Sequence, residues 1–178
     1  MVGRKRKALG FIVGEKVVYP SHGVGQINSI VSQTIGGAKE EMFVIHFESE
    51  GLTLRIPTKR VPEVGLRNLV SEEELTKALG LLTGRAKVKK SMWSRRAMEY
   101  DQKINSGCII KLSEVVRDLN RHDPTKDQSY SERQLFEEAY GRLTKEVAAV
   151  KQISILEAKS VISDSLLRKK SKARDLAA

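Results

Sequence analysis

The stretch Met42-Phe43-Val44-Ile45-His46-Phe47-Glu48-Ser49-Glu50-Gly51-Leu52-Thr53-Leu54-Arg55-Ile56-Pro57 decides the class of the first half of this chain. It holds two short runs rich in apolar and β-branched residues, 42–47 and 52–56, split by the turn signal Glu50-Gly51. A strand sends successive side chains to opposite faces. Leu52, Leu54 and Ile56 therefore share one face, and Thr53 and Arg55 share the other. In the preceding run, Met42, Val44 and His46 are read as facing one way. Pro57 lacks the amide a ladder needs and stops the second run.

Working outward toward the N-terminus, Gly36-Gly37 is a hairpin turn signal. Residues 24–31 read as a strand with Val24, Ile27 and Ile30 as core positions. Residues 15–19 form another β-branched run, closed by Pro20-Ser21-His22-Gly23. Residues 64–69 offer a short closing strand. Four or five short strands with tight turns suggest a small twisted barrel of the Tudor or SH3 type over residues 11–70. A basic tail, 1–10, precedes it.

Toward the C-terminus the pattern becomes helical. Ser71 and Glu74 have capping-box spacing and begin a helix to about residue 82. A basic connector, 83–90, follows and is expected to set the orientation of the two domains. Ser91 is a candidate cap for a helix to about residue 106, where Gly107 fits a left-handed stop. Ile109, Leu112, Val115, Val116 and Leu119 recur at helical spacing, and Asp123-Pro124 ends that run. Ser129 and Glu132 form a second capping box, before a stripe of Leu135, Ala139, Leu143 and Val147. The last helix covers about 153–167, with Ile155, Leu156, Ile162 and Leu166 as its face. These stripes suit a compact all-α bundle over 71–167. A basic tail, 168–178, is expected to fray. The fold class is α+β in two domains, the barrel first and the helical bundle second.

Composition narrows the function. Lys and Arg number 32 against 22 Asp and Glu, a net charge of +10, which suits a nucleic-acid binder. The single cysteine, Cys108, excludes an internal disulfide and points to a reducing compartment. The longest apolar stretch near the start, 8–13, is broken by Gly10, so neither a signal peptide nor a membrane span is expected and the cytoplasm is the expected location. His22, His46 and His122 have no metal-ligand spacing. No phosphate-cradling loop, nucleophile elbow or zinc motif occurs, so no catalytic residue, metal or cofactor is assigned.

Chemistry concentrates in Lys87-Val88-Lys89-Lys90-Ser91-Met92-Trp93-Ser94-Arg95-Arg96. The only tryptophan of the chain stands among five cations, and no acid occurs between Arg85 and Ala97. Cations bind phosphates and release counterions. An aromatic ring beside them can stack on an unpaired base or wedge into an opening duplex. Trp93, Ala97, Tyr100 and Ile104 also form a helical stripe, so a core-anchor role for Trp93 stays open. Arg133 begins a later helix, against the sign its dipole favours, and a phosphate partner is one reason for that.

These residues resemble the CarD/CdnL family of bacterial RNA polymerase-binding regulators. The motifs are Gly14-Glu15-Lys16-Val17-Val18-Tyr19-Pro20 with His22, Gly23 and Gly25; Leu52-Thr53-Leu54-Arg55-Ile56-Pro57; Trp93-Ser94-Arg95-Arg96; and Glu114-Val115-Val116-Arg117-Asp118-Leu119. The resemblance spans about residues 10–165. It implies a Tudor-like domain that docks on the polymerase β subunit through Thr53, Leu54, Arg55 and Ile56. It implies a helical domain whose Trp93, Arg95, Arg96, Lys89, Lys90 and Arg133 hold promoter DNA at the upstream edge of the bubble, with one copy acting per polymerase. Gln33 and Met98 stand where some family members carry a cation. On residues alone, a translation-associated RNA binder with a small β-barrel is the alternative.

Overall fold

A computed structural model describes residues 7–120 and 128–175, the last seven by backbone alone. The chain divides into two units, Met1–Leu69 and Val70–Ala178. In the first, β1 (Lys7–Ala8) and β2 (Phe11–Ile12) form a small hairpin. Residues 7–10, expected in a tail, belong to this hairpin, and Phe11 enters the core.

The second sheet holds β3 (Lys16–Tyr19), β4 (Gly23–Ile35), β5 (Ala38–Phe47), β6 (Leu52–Pro57) and β7 (Arg67–Asn68). It is antiparallel, in the order β6-β5-β4-β3-β7. The expected barrel is corrected here: the ladder does not close, and among the described residues no pairing joins β6 to β7. A physical reason lies in residues 61–64. Pro62 favours the first turn of a helix, and the segment forms α1 (Val61–Val64), leaving a strand of only two residues.

The tight turn at Gly36-Gly37 forms, with both residues at positive φ, 58° and 84°, as a two-residue hairpin of mirror-image twist requires. The face of β5 is corrected. Its core side is Phe43, Ile45 and Phe47, all fully buried, and not Met42, Val44 and His46. Both alternating sets are largely apolar, and the one with two phenylalanines removes more area from water. In β4, Ile27 and Ile30 both reach the core although three residues apart. A register shift between Ile27 and Ser29 restores the phase. Val24 is half-buried and outside that core.

Gly25 lies against this packed wall. A Cβ there would fall 2.7 Å from Phe47 Cε1 and 2.8 Å from Ile45 Cγ2, and both neighbours are fully buried. Gly25→Ala is therefore expected to cost about 1–3 kcal/mol through overpacking, measured as a lower urea midpoint for the β unit.

The second unit holds α2 (Glu72–Leu82), α3 (Trp93–Ile104), α4 (Ile109–Leu119), α5 (Tyr130–Lys151) and α6 (Ile155–Asp175). They share one core in which Leu75, Leu82, Ile109, Val115, Leu143 and Ile162 are essentially inaccessible to water. Ser71 caps α2 by accepting from the Glu74 amide at 3.2 Å. The capping box of Ser129 and Glu132 forms in both directions. A similar reciprocal pair, Ser154 with Glu157, begins α6. That hydrogen bond from the Ser154 backbone holds the Glu157 carboxyl below its ordinary range.

Three helical expectations are corrected. The N-cap of α3 is Met92, not Ser91, and the Ser91 hydroxyl is buried without a hydrogen-bond partner. The core face of α6 is Ala158, Ile162 and Leu166, while Ile155 and Leu156 are exposed. The backbone of α6 continues through 168–175, residues expected to fray. Asp123-Pro124 and His122 lie outside the described residues.

Candidate nucleic-acid interface and exposed strand edge

Residues 83–92 run without regular structure from α2 to α3. They are not the hinge between domains that the sequence suggests. Both flanking helices belong to one core, and the division of the chain falls between Leu69 and Val70. A buried carboxylate pins this connector. Asp118 Oδ1 accepts from the Lys87 backbone N–H at 2.9 Å and from Arg117 Nε at 2.8 Å. Arg117 and Asp118 are both buried. Sequence reading assigned neither to the site; the available signal was an adjacent acid–base pair inside a helix among core valines.

With the connector fixed, Lys89 meets α3. Arg96 Nη1 donates to the Lys89 carbonyl at 3.3 Å. The Arg96 guanidinium lies over the Trp93 ring, 5.6 Å from its centre, a cation–π distance. Trp93 is half-buried and packs against the bundle core, with its ring 6.5 Å from that of Tyr100. Its indole N–H donates to Ser131 Oγ at 2.9 Å. Ser131 stands in the first turn of α5, so this bond brings the start of α5 to the same corner. Arg133, exposed, follows two residues later. Ser131 was missed from sequence, because nothing local links two positions 38 residues apart.

The structure thus gathers Trp93, Arg96 and Lys89 in direct contact and joins them to Ser131 in the first turn of α5, the turn that also holds Arg133. Lys90 and Arg95 are exposed on the same connector and helix. Met92, next to the indole, is 80% exposed. Burial pushes the Tyr100 hydroxyl above its ordinary range, and the Asp118 charge adds to this. Glu99, one turn after Arg95, accepts from Lys89 Nζ at 2.7 Å and lies 4.0 Å from Arg95 Nε. The Lys89 hydrogen bond holds its carboxyl below the usual range.

In the first unit, β6 is an edge strand, paired among the described residues only with β5. Arg55 is exposed, with no ion pair among the described residues. Thr53 is exposed, and its hydroxyl is bonded to His46 Nδ1 at 2.9 Å across the strand pair. Leu54 is half-buried against the sheet core and Ile56 is buried within it. The four candidate residues thus offer two outward side chains, Thr53 and Arg55, and a free main-chain edge.

Among the described residues no helix is long and apolar enough to cross a membrane, and no His, Cys, Asp or Glu cluster could hold a metal ion. Residues 11–70 match the CarD-like/TRCF RID domain, and residues 77–163 match the CarD C-terminal domain. A Bacillus subtilis (strain 168) protein named "Putative transcription factor YdeB" is 29% identical over 150 residues, covering 84% of this chain and 98% of its own length. Two domain matches in this order span most of the chain, and it belongs to the CarD-like family of transcription factors.

Proposed function

We propose that this chain binds the β subunit of RNA polymerase through the edge of β6, with Arg55 and Thr53 as its outward side chains. We propose further that it stabilises the open promoter complex by holding DNA at the upstream edge of the bubble. Trp93, Arg96, Lys89, Lys90, Arg95 and Arg133 make that contact. The observation that carries this reading is the corner where an incompletely buried indole, stacked under Arg96, meets the start of α5. Guanidinium and ammonium groups hold phosphates there without reading sequence. The ring offers an apolar surface to a base step that is already unstacking.

The action is binding and needs no cofactor. A free strand edge gives main-chain hydrogen bonds to a partner strand, and flanking side chains select that partner. One copy suffices, working in the cytoplasm where the polymerase works. Arg55→Glu tests the first half. The variant is expected to fold normally, since Arg55 is exposed, and to lose polymerase subunits in a pull-down that the native chain retains. Equal recovery by both proteins would remove β6 from the contact.

A further inference from the structure

Among the described residues, Glu99 is the carboxylate paired with the cations that the proposed DNA contact needs. Glu99 takes a hydrogen bond from Lys89 at 2.7 Å and reaches Arg95 at 4.0 Å, the outer limit of an ion pair. Arg96 is also engaged, through the Lys89 carbonyl and the face of Trp93. Among the described residues, Lys90, Arg96 and Arg133 are the cations of the patch without an ion pair, and of these Arg96 is held by the carbonyl and the ring. The lysine of the Lys89–Glu99 pair is mostly exposed and the glutamate about one-third exposed. Such pairs contribute little to stability, so the consequence of Glu99 falls on what the cations can bind.

We infer that Glu99 is an internal substitute for DNA phosphate: it holds Lys89 and Arg95 in the free protein and must release them when DNA arrives. The inference rests on the DNA contact proposed above and concerns the same surface. Sequence-independent affinity for duplex comes almost wholly from phosphate contacts. A carboxylate within reach of two such cations competes for them and repels the incoming phosphates. Affinity for arbitrary duplex is therefore set low. On a polymerase already at a promoter, tethering raises the effective concentration of the DNA into the millimolar range, and the weakened contact still forms. Glu99 thereby restricts a contact that reads no sequence to places where polymerase is bound.

The test is the full chain carrying Glu99→Gln, titrated against a short duplex of arbitrary sequence by fluorescence anisotropy over a series of salt concentrations. Removing one negative charge a few ångströms from a phosphate is expected to tighten binding about five- to tenfold at low salt, with the gain fading as salt screens it. The slope of log affinity against log salt is expected to steepen by about one, because one more cation is free to displace counterions. Glu73→Gln is the control. It makes the same change in net charge, but the partner of Glu73 is Lys77 on α2, and its affinity is expected to match the native chain. Native-like binding by Glu99→Gln overturns the inference, as does an equal gain from Glu73→Gln. Open-complex lifetime with the native chain separates the two readings. If the native chain leaves that lifetime unchanged while Glu99→Gln tightens duplex binding, the functional proposal falls and Glu99 keeps its role. If the lifetime is extended but Glu99→Gln binds like the native chain, only the role of Glu99 falls.

Discussion

Asp118→Ala is expected to destabilise the helical unit by about 3–5 kcal/mol, the cost of leaving a buried charge without its partner. Arg117 would remain in the interior with its Nε bond lost. The same substitution removes the acceptor that fixes the Lys87 amide. Two measurements follow that effect. The urea midpoint of the helical unit drops, and trypsin cleaves after Lys87, Lys89 or Lys90 under conditions where the rest of the chain is still folded. The double variant Arg117→Met/Asp118→Leu separates stability from positioning. Exchanging a whole buried ion pair for apolar residues is often neutral or favourable, so the midpoint should recover. The connector should stay cleavable, because nothing then accepts from Lys87. Uncut connector in Asp118→Ala would show that the carboxylate does not position the cations of the connector.

Asp118 also illustrates what a sequence conveys about such a site. The order of strands and helices was readable because local rules agreed: Gly36-Gly37 for a turn, Ser129 with Glu132 for a helix start, and 3.6-residue periodicity in α4 and α5. The outward placement of Thr53 and Arg55 followed from alternation alone. Local rules gave out where two answers satisfied them equally. β5 has apolar residues in both phases, and only the β4 bulge and the space filled by Phe43 and Phe47 select one. The open sheet was not readable either, because closure depends on how long the last strand grows, and α1 with its left-handed cap at Gly65 takes the first two residues of the expected strand.

The site divides the same way. Its cations and its ring were legible as composition, since five positive charges and one indole within ten residues need no fold to be noticed. Their arrangement was not. Ser131, Asp118 and Glu99 act on the patch from other helices or from the next turn, and each looks unremarkable in its own sequence neighbourhood. Ser154 with Glu157 differs: the spacing of a capping box was present, and reading it would have started α6 at the right place.

Trp93→Ala is expected to shorten the lifetime of the open complex about 5- to 150-fold, taking stacking of one aromatic at roughly 1–3 kcal/mol. The ring also packs against the bundle, so the loss must be separated from unfolding. Trp93→Phe and Ser131→Ala do this. Each removes the indole hydrogen bond to Ser131 while leaving an aromatic ring in place. A neutral hydrogen bond contributes about 0.5–1.5 kcal/mol, so both should cost a similar small amount of stability and keep most of the lifetime. Trp93 is the only tryptophan in the chain, which supplies a second readout from the native protein. Its emission should change when forked DNA is added and not when Arg96 and Lys89 have been replaced by alanine. The two roles of the ring then give opposite patterns. A ring that meets DNA makes Trp93→Ala defective at temperatures where the variant is fully folded, with emission that responds to the fork. A ring that serves only the bundle gives a variant with a lower melting temperature, native open-complex lifetime below it, and emission indifferent to DNA.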